Sequence, residues 1–344
     1  MPDLLGTAGR PSDPLLSVRG LTKHFSIPGS DKYVQACQDV SLELYPGETL
    51  GVVGESGSGK TTLGRCILRL IEPTSAEIVF QGRDLLMLAK QDLRHLRRNM
   101  QIVFQEPFDS LNPFHSIGYQ IAEPLRIHTK LSKADRRKHV LELLELVGLP
   151  TAIADAVPEG LSPGTLQRCS IARALATEAR LVVLDEPTSA LPPEAEADII
   201  RLLNELQERL GLSYIFISHD LVLVRQFCDR VVVMYLGQIV EVASREELFA
   251  RPQHPYSRAL LASTLIPDPR QRRIATDRVE RLEGEIPSPV DLPKGCYLAS
   301  RCRYVRDRCK TEPQELLPLS NEHLVRCWRV REGELTKNEI ASVT

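Results

Sequence analysis

Apolar residues recur along this chain in two rhythms. Residues 49–53, 181–184 and 214–217 are short, nearly unbroken apolar runs, the pattern of strands covered on both faces of a parallel sheet. Elsewhere the spacing widens to three and four. Leu63, Cys66, Ile67 and Leu70 fall on one face of a helix over 61–70, and Val140, Leu143, Leu144 and Val147 predict another. Ser132, with Asp135 in the first turn, is the cap expected for that second helix, and Gly148 its end. A third helix is expected over 193–210, closed by Gly211. Runs of strand type alternating with helices predict an α/β fold. The first fourteen or so residues, rich in Pro, Gly and Ser, are expected as a flexible lead-in, with structure starting near Leu15. From about Pro252 periodicity fades, which puts a domain boundary there, and no repeat of fixed period is visible.

Composition narrows the partners. At 344 residues, 42% hydrophobic, the chain suffices for one large domain plus a smaller annex. Its 43 basic and 45 acidic side chains leave a formal charge of −2, too little cationic excess to favour nucleic acid. No apolar run reaches the roughly 18–20 residues of a spanning helix, and the first residues lack a signal-peptide pattern. The expectation is a cytosolic chain whose membrane contacts go through a partner.

The candidate chemistry starts at Gly54, Glu55, Ser56, Gly57, Ser58, Gly59, Lys60 and Thr61, which fit G-x-x-x-x-G-K-[ST] between a predicted strand and a predicted helix. The glycines let backbone N–H groups turn inward around phosphate oxygens, and the helix start adds its positive dipole end. Lys60 suits the β- and γ-phosphates of a nucleotide, and the Thr61 hydroxyl suits Mg²⁺. A glycine-rich turn with no ligand is the bland alternative, which the strand and helix on either side disfavour.

Asp185 and Glu186 follow the run 181–184 and so fall at the carboxyl edge of the sheet, where ligands bind. Asp185 suits Mg²⁺, directly or through water, and Glu186 suits polarising the attacking water. Alone, the pair would be a strand-end turn or a helix cap; beside a phosphate loop it is candidate machinery. His219 ends the run from Tyr214 in the same way and is a candidate to touch the γ-phosphate and hold the water or Glu186 in place, a merely structural histidine being the bland alternative. Gln105, after residues 100–104, is a candidate metal sensor or a plain surface glutamine.

In this order the pieces resemble the ATP-binding subunits of ABC transporters, over residues 18–328. The resemblance implies a P-loop NTPase of ABC type at 15–252, with a helical subdomain at about 107–176 and a small C-terminal cysteine-containing extension at 253–344. It makes residues 54–62, Thr62 included, the Walker A loop, Gln105 the Q-loop residue and a Mg²⁺ ligand, and Asp185 and Glu186 the Walker B aspartate and catalytic glutamate. His219 becomes the switch histidine, Phe25 the aromatic that stacks on adenine, and Ser162 and Gly164 part of the signature loop that meets the partner's nucleotide. Residues 104–113, 254–261 and 284–289, with Gly295 and Cys296 after them, look like the dipeptide, oligopeptide and nickel importer branch.

That resemblance implies ATP and Mg²⁺ as cofactors and a head-to-tail pair with a second ATPase subunit or a second copy. It also implies two membrane permeases facing the helical subdomain, an extracytoplasmic solute-binding protein, and a peripheral place on the cytoplasmic face of the inner membrane. The expected solute is a di- or oligopeptide, with nickel, a sugar-acid conjugate or an opine left open. Two departures stand out. The usual L-S-G-G-Q reads Leu161, Ser162, Pro163, Gly164, Thr165, and Pro163 lacks the N–H that would bond a phosphate. Pro192 stands where the family usually has aspartate. Both fall on the face that completes the partner's site, so an asymmetric pair with one slow site is expected. Rival readings are a soluble ABC ATPase without a permease, for which neither a second cassette nor a DNA-binding insert is found, and a mainly regulatory subunit, which intact Glu186 and His219 oppose.

Cys296, Cys302, Cys309 and Cys327 crowd the C-terminal part with intervals of 5, 6 and 17 residues, unlike the C-x2-C pairs of zinc modules. Four thiolates suit an iron–sulfur cluster. The resemblance implies the [4Fe–4S] cluster of some members, leaving zinc or four unligated thiols as alternatives. Its expected work is to fold a segment too small to bury much core. Arg301, Arg303, Arg306 and Arg308 are expected as a solvated face or as balance for cluster charge.

Overall fold

The computed structural model describes residues 13–263, 282–320 and 322–335, so the expected lead-in lies almost wholly outside the described residues. Two sheets organise the chain. An antiparallel sheet runs β2 (Tyr33–Leu44), β1 (Leu16–Ser26), β4 (Ser75–Phe80), β5 (Arg83–Asp84). The second has eight strands in the order β11 (Leu317–Ser320), β12 (His323–Val325), β10 (Gln238–Ser244), β9 (Arg230–Tyr235), β3 (Thr49–Val53), β8 (Ser213–Ile217), β7 (Leu181–Asp185), β6 (Met100–Val103).

Strands β9, β3, β8, β7 and β6 run parallel. Every position of β3, β7, β8 and β9 is buried, which is why they are nearly continuous apolar runs. Parallel direction brings the ends of all five strands, at Tyr235, Val53, Ile217, Asp185 and Val103, to one edge of the sheet. The sequence-predicted site residues follow directly after four of them.

Helix α1 (Lys60–Ile67) follows β3 and buries Leu63, Cys66 and Ile67. It lies close on the sheet because Gly64 has no side chain: a Cβ there would stand 3.0 Å from Ile217 and 3.1 Å from Val183. The helix is shorter than expected, and Leu70 lies beyond it, exposed. After α2 (Lys90–Arg97) comes a helical part made of α3 (Pro107–Ser110), α4 (Ile117–Ile121), α5 (Glu123–His128), α6 (Lys133–Leu146), a 3₁₀ turn and α7 (Pro163–Leu175). Ser132 caps α6 as expected, its hydroxyl accepting the Asp135 N–H. Ile117, Ile121, Leu125, Val140, Leu143 and Leu144 are buried in one core with Leu166 of α7 and the sheet. Each such side chain stabilises by about 1.5–3 kcal/mol when fully buried.

Helix α8 (Pro193–Leu210) ends at Gly211, whose φ of 65° is the left-handed turn that glycine accepts without strain. Then come α9 (Leu221–Phe227), α10 (Arg245–Ala250), α11 (Pro255–Ala262), α12 (Asp307–Thr311) and α13 (Trp328–Arg331).

The C-terminal segment is continuous with the ATPase sheet. Strand β12 pairs antiparallel with β10, Glu241 against Val325 and Val242 against Leu324, and β11 adds outside it. At the junction the buried Glu241 carboxylate accepts the N–H groups of Gln253 at 2.7 Å and His254 at 2.8 Å and meets His323 Nε2 at 2.6 Å. The expected boundary near Pro252 therefore crosses no gap between cores. Strands of three and four residues are too short to carry a periodicity, which is why the junction is invisible in the apolar pattern.

Candidate active site

The loop after β3 is shaped by two close approaches. A Cβ on Gly54 would collide with the carbonyl oxygen of Met234, and one on Gly59 with that of Ala36. Only glycine lets β9 and β2 press so near, and the loop then opens directly into α1. Lys60 Nζ donates to the carbonyls of Gly54 at 2.8 Å and Glu55 at 3.0 Å. Burial pushes the Lys60 pKa down, while Glu186, Asp185 and Glu55 pull it back. The Ser58 hydroxyl is buried with no hydrogen-bond partner among the described residues. An orphaned donor inside a glycine-rich cradle is what a phosphate oxygen would satisfy.

Across the strand edge, Thr61 Oγ1 donates to Asp185 Oδ1 at 2.8 Å. Burial raises the Asp185 pKa, and the Thr61 hydrogen bond works against that rise. A hydroxyl and a buried carboxylate side by side form the oxygen-donor pair that Mg²⁺ takes. Glu186, at φ 48°, occupies the left-handed region that costs a non-glycine residue energy. That turn aims its carboxylate along the edge, where Oε2 accepts from Gln105 Nε2 at 3.1 Å and meets His219 Nδ1 at 3.2 Å. Gln105 and His219, from the ends of β6 and β8, thus converge on one oxygen of the residue that follows β7.

Other expected residues lie apart from this cluster. Phe25 is on β1 opposite Val34, 37% exposed, with the Lys23 ammonium 4.8 Å from its ring centroid. It sits on the same hairpin as Ala36, which abuts Gly59. Ser162 caps α7, its hydroxyl accepting the Thr165 N–H at 3.2 Å and lying 2.9 Å from the Thr165 hydroxyl. No hydrogen bond joins residues 162–165 to the loop at 54–62 among the described residues. Pro163 occupies the first helical turn, where proline fits without breaking an intrahelical bond.

The four C-terminal cysteines line one small cavity together with Leu298, Tyr304 and Trp328. Burial raises the thiol pKa of Cys296 to about 12 and of Cys302 to about 11, and raises that of Cys327 as well. No group of three or more His, Cys, Asp or Glu poised to hold a metal ion is formed among the described residues.

Arg301 corrects the expected solvated face. Arg303, Arg306 and Arg308 are exposed, but the Arg301 side chain is only 10% exposed and pairs with Glu55 of the phosphate loop at 3.1 Å. The Glu55 N–H donates to the Tyr256 hydroxyl at 2.8 Å, so α11 also touches the loop. Neither contact was visible in the sequence, because the partners are 246 and 201 positions apart and no spacing rule links them.

Comparison with known proteins gives the same answer. Residues 37–189 match the ABC transporter family model, and residues 240–309 match the oligopeptide/dipeptide transporter C-terminal region. A putative peptide import ATP-binding protein of Brucella ovis is 46% identical over 316 residues, covering 92% of this chain and 98% of that protein. The oligopeptide transport ATP-binding protein OppF of Salmonella typhimurium is 42% identical over 324 residues, covering 92% and 96%. The dimeric structure of the ATP-binding cassette MJ0796 in a post-hydrolysis state, bound to ADP and Pi, is similar at a TM-score of 0.62 and 29% identity over 67% of this chain and 98% of its own. With this fold, this loop and these relatives, the chain belongs to the ATP-binding proteins of the ABC transporter family, in its oligopeptide/dipeptide branch, and its reaction is ATP hydrolysis with Mg²⁺.

Proposed function

We propose that this chain energises import of di- or oligopeptides as the ATPase subunit of a complex with two membrane permeases, a second ATPase subunit and an extracytoplasmic solute-binding protein. The observation that carries the catalytic reading is the convergence of Gln105 and His219 on Glu186 beside the Thr61–Asp185 pair. In this reading Lys60, Ser58 and the amides of residues 54–62 hold the phosphates. Thr61, Asp185 and Gln105 hold Mg²⁺. Glu186 polarises the attacking water, and His219 holds that carboxylate in place and faces the γ-phosphate. Phe25, on the hairpin beside Gly59, stacks on the base. Ser162 and Gly164 serve the partner's nucleotide.

No helix among the described residues is long and apolar enough to cross a membrane. The membrane link therefore runs through the permeases, met by the helical part at 107–176 from the cytoplasmic face. The names of the relatives support peptide as the solute class. Recovery of the chain from native membranes in mild detergent, followed by mass spectrometry, tests the assembly: two permeases and a second ATPase are expected, and a lone soluble chain overturns it.

The pair is asymmetric in this reading, because Pro163 withholds a backbone N–H where the partner's phosphate is met. Equal turnover in complexes carrying a glutamate-to-glutamine change in one subunit or the other would sink the asymmetry. The cysteine donors are of the right type for a [4Fe–4S] cluster and lie on one cavity, yet carry no step of the hydrolysis. Iron and zinc content of protein purified without oxygen decides between cluster, zinc and free thiols.

A further inference from the structure

One contact reaches the phosphate loop from the cysteine segment. Arg301 lies between Cys296 and Cys302, in a run of tight turns where its N–H donates to the Leu298 carbonyl at 2.9 Å and the Ala299 N–H to that of Cys296 at 2.9 Å. Its Nη1 donates to Glu55 Oε2 at 3.1 Å and to the Tyr235 hydroxyl at 3.4 Å. The Tyr235 ring packs on Tyr256 with centroids 4.7 Å apart, and the Tyr256 hydroxyl accepts the Glu55 N–H. The Glu55 carbonyl accepts Lys60 Nζ. Glu55 is thus held at its carboxylate, its N–H and its carbonyl at once, by three separate elements.

We propose that Arg301 is a positioning residue of the ATPase: by holding the Glu55 carboxylate it fixes the peptide on which Lys60 rests, so that the C-terminal cysteine segment sets nucleotide affinity. The inference rests on the ATPase reading of the same loop. Glycine at 54, 57 and 59 leaves the loop only its few internal hydrogen bonds for stiffness, so much of the entropy of ordering it falls on outside contacts or on the ligand. A largely buried guanidinium–carboxylate pair is a stiff tether, and removing one partner strands the other charge. Gln105, Glu186 and His219 stand on other strands, so their geometry around the attacking water does not depend on the tether. Loss of Arg301 therefore falls on binding, not on the chemical step. Arginine reaches Glu55 and Tyr235 together, whereas lysine offers a single point of charge.

The test uses the full-length chain, with phosphate release giving kcat and KM and trinitrophenyl-ATP giving an affinity. R301A is expected to raise KM and the analogue's Kd roughly five- to tenfold, with kcat within about twofold. R301K should be intermediate. R303A, on the exposed neighbour, should match wild type. The double change R301A with E55A should cost no more than the larger single change, because both cut one interaction. An unchanged KM in folded R301A, or full additivity with E55A, overturns the proposal. If R301A does not fold, E55A removes the acceptor from the loop side and leaves the cysteine segment intact; an unchanged KM there overturns it equally. A wild-type chain without ATP turnover would overturn the ATPase reading itself, whereas an active wild type with an indifferent Arg301 overturns only this inference.

Discussion

The phosphate site and the cysteine segment are assembled in opposite ways. At the phosphate site a contiguous loop and four strand ends meet because parallel strands must finish on the same edge, so short-range rules do most of the placing. The cysteine segment has a small cluster of its own, Val325, Val330 and Leu335, sends Leu298 into the main core, and adds single bonds across long separations. Lys32 pairs with Asp291, the Gln35 N–H donates to Pro289, Arg326 Nε donates to the Ile239 carbonyl at 2.7 Å, and His323 meets Glu241. A segment too small to bury a core takes its stability by extending a sheet that already exists. The difference implies that changes at the strand ends strike the chemical step, while changes in the extension strike binding and stability.

The largest expected effect is at Glu186. E186Q keeps the shape and the hydrogen bond from Gln105 but removes the carboxylate, and phosphate release should fall by about 10²–10⁴-fold. Trinitrophenyl-ATP should still bind. A residual rate near wild type would move the general base elsewhere and dissolve the contrast between the two regions.

Much of the site was legible in the sequence, and the reason is local. Strand β3, the loop and α1 are neighbours in the chain, and Asp185, Glu186 and His219 each follow directly on a buried run. Gln105 was weaker, because β6 is four residues long with only its end positions buried. Ser132 and Asp135 announced a helix start through side chains that act within three residues of themselves, and Gly211 announced a helix end through the left-handed backbone that glycine accepts. The junction at Glu241 and the tether at Arg301 had no such signal. One lone arginine among four in eight residues looks solvated until the fold brings Glu55 beside it.

The junction offers a second, smaller effect. His254 is buried, and its pKa is lowered to about 4, first by burial and also by Arg258 and Arg326, with Glu241 opposing. An ordinary histidine in the unfolded chain takes up a proton below about pH 6.5, while the folded one stays neutral until about pH 4. Stability present above pH 6.5 is therefore lost as the pH falls through that window, by at most about 3 kcal/mol. Urea midpoints at pH 7.5 and pH 5 measure it. H254Q, which cannot titrate, should show a shallower fall than wild type, and an equal fall would place the acid sensitivity elsewhere.

The smallest effect lies at Pro163, and there two readouts should move in opposite directions. Proline in the first turn of α7 lacks an N–H that the helix has no internal use for, and its fixed φ narrows the unfolded chain's freedom. P163G gives that freedom back, so the chain should lose about 0.5–1 kcal/mol of stability, read as a lower urea midpoint. The same change restores an N–H next to Ser162, whose hydroxyl already caps the helix. If the loop serves a partner's phosphate, steady-state ATP turnover of the assembled pair should rise as stability falls. A change that lowers both would mean that Pro163 shapes the helix alone, and the slow half-site would need another cause, for which Pro192 is the next residue to change.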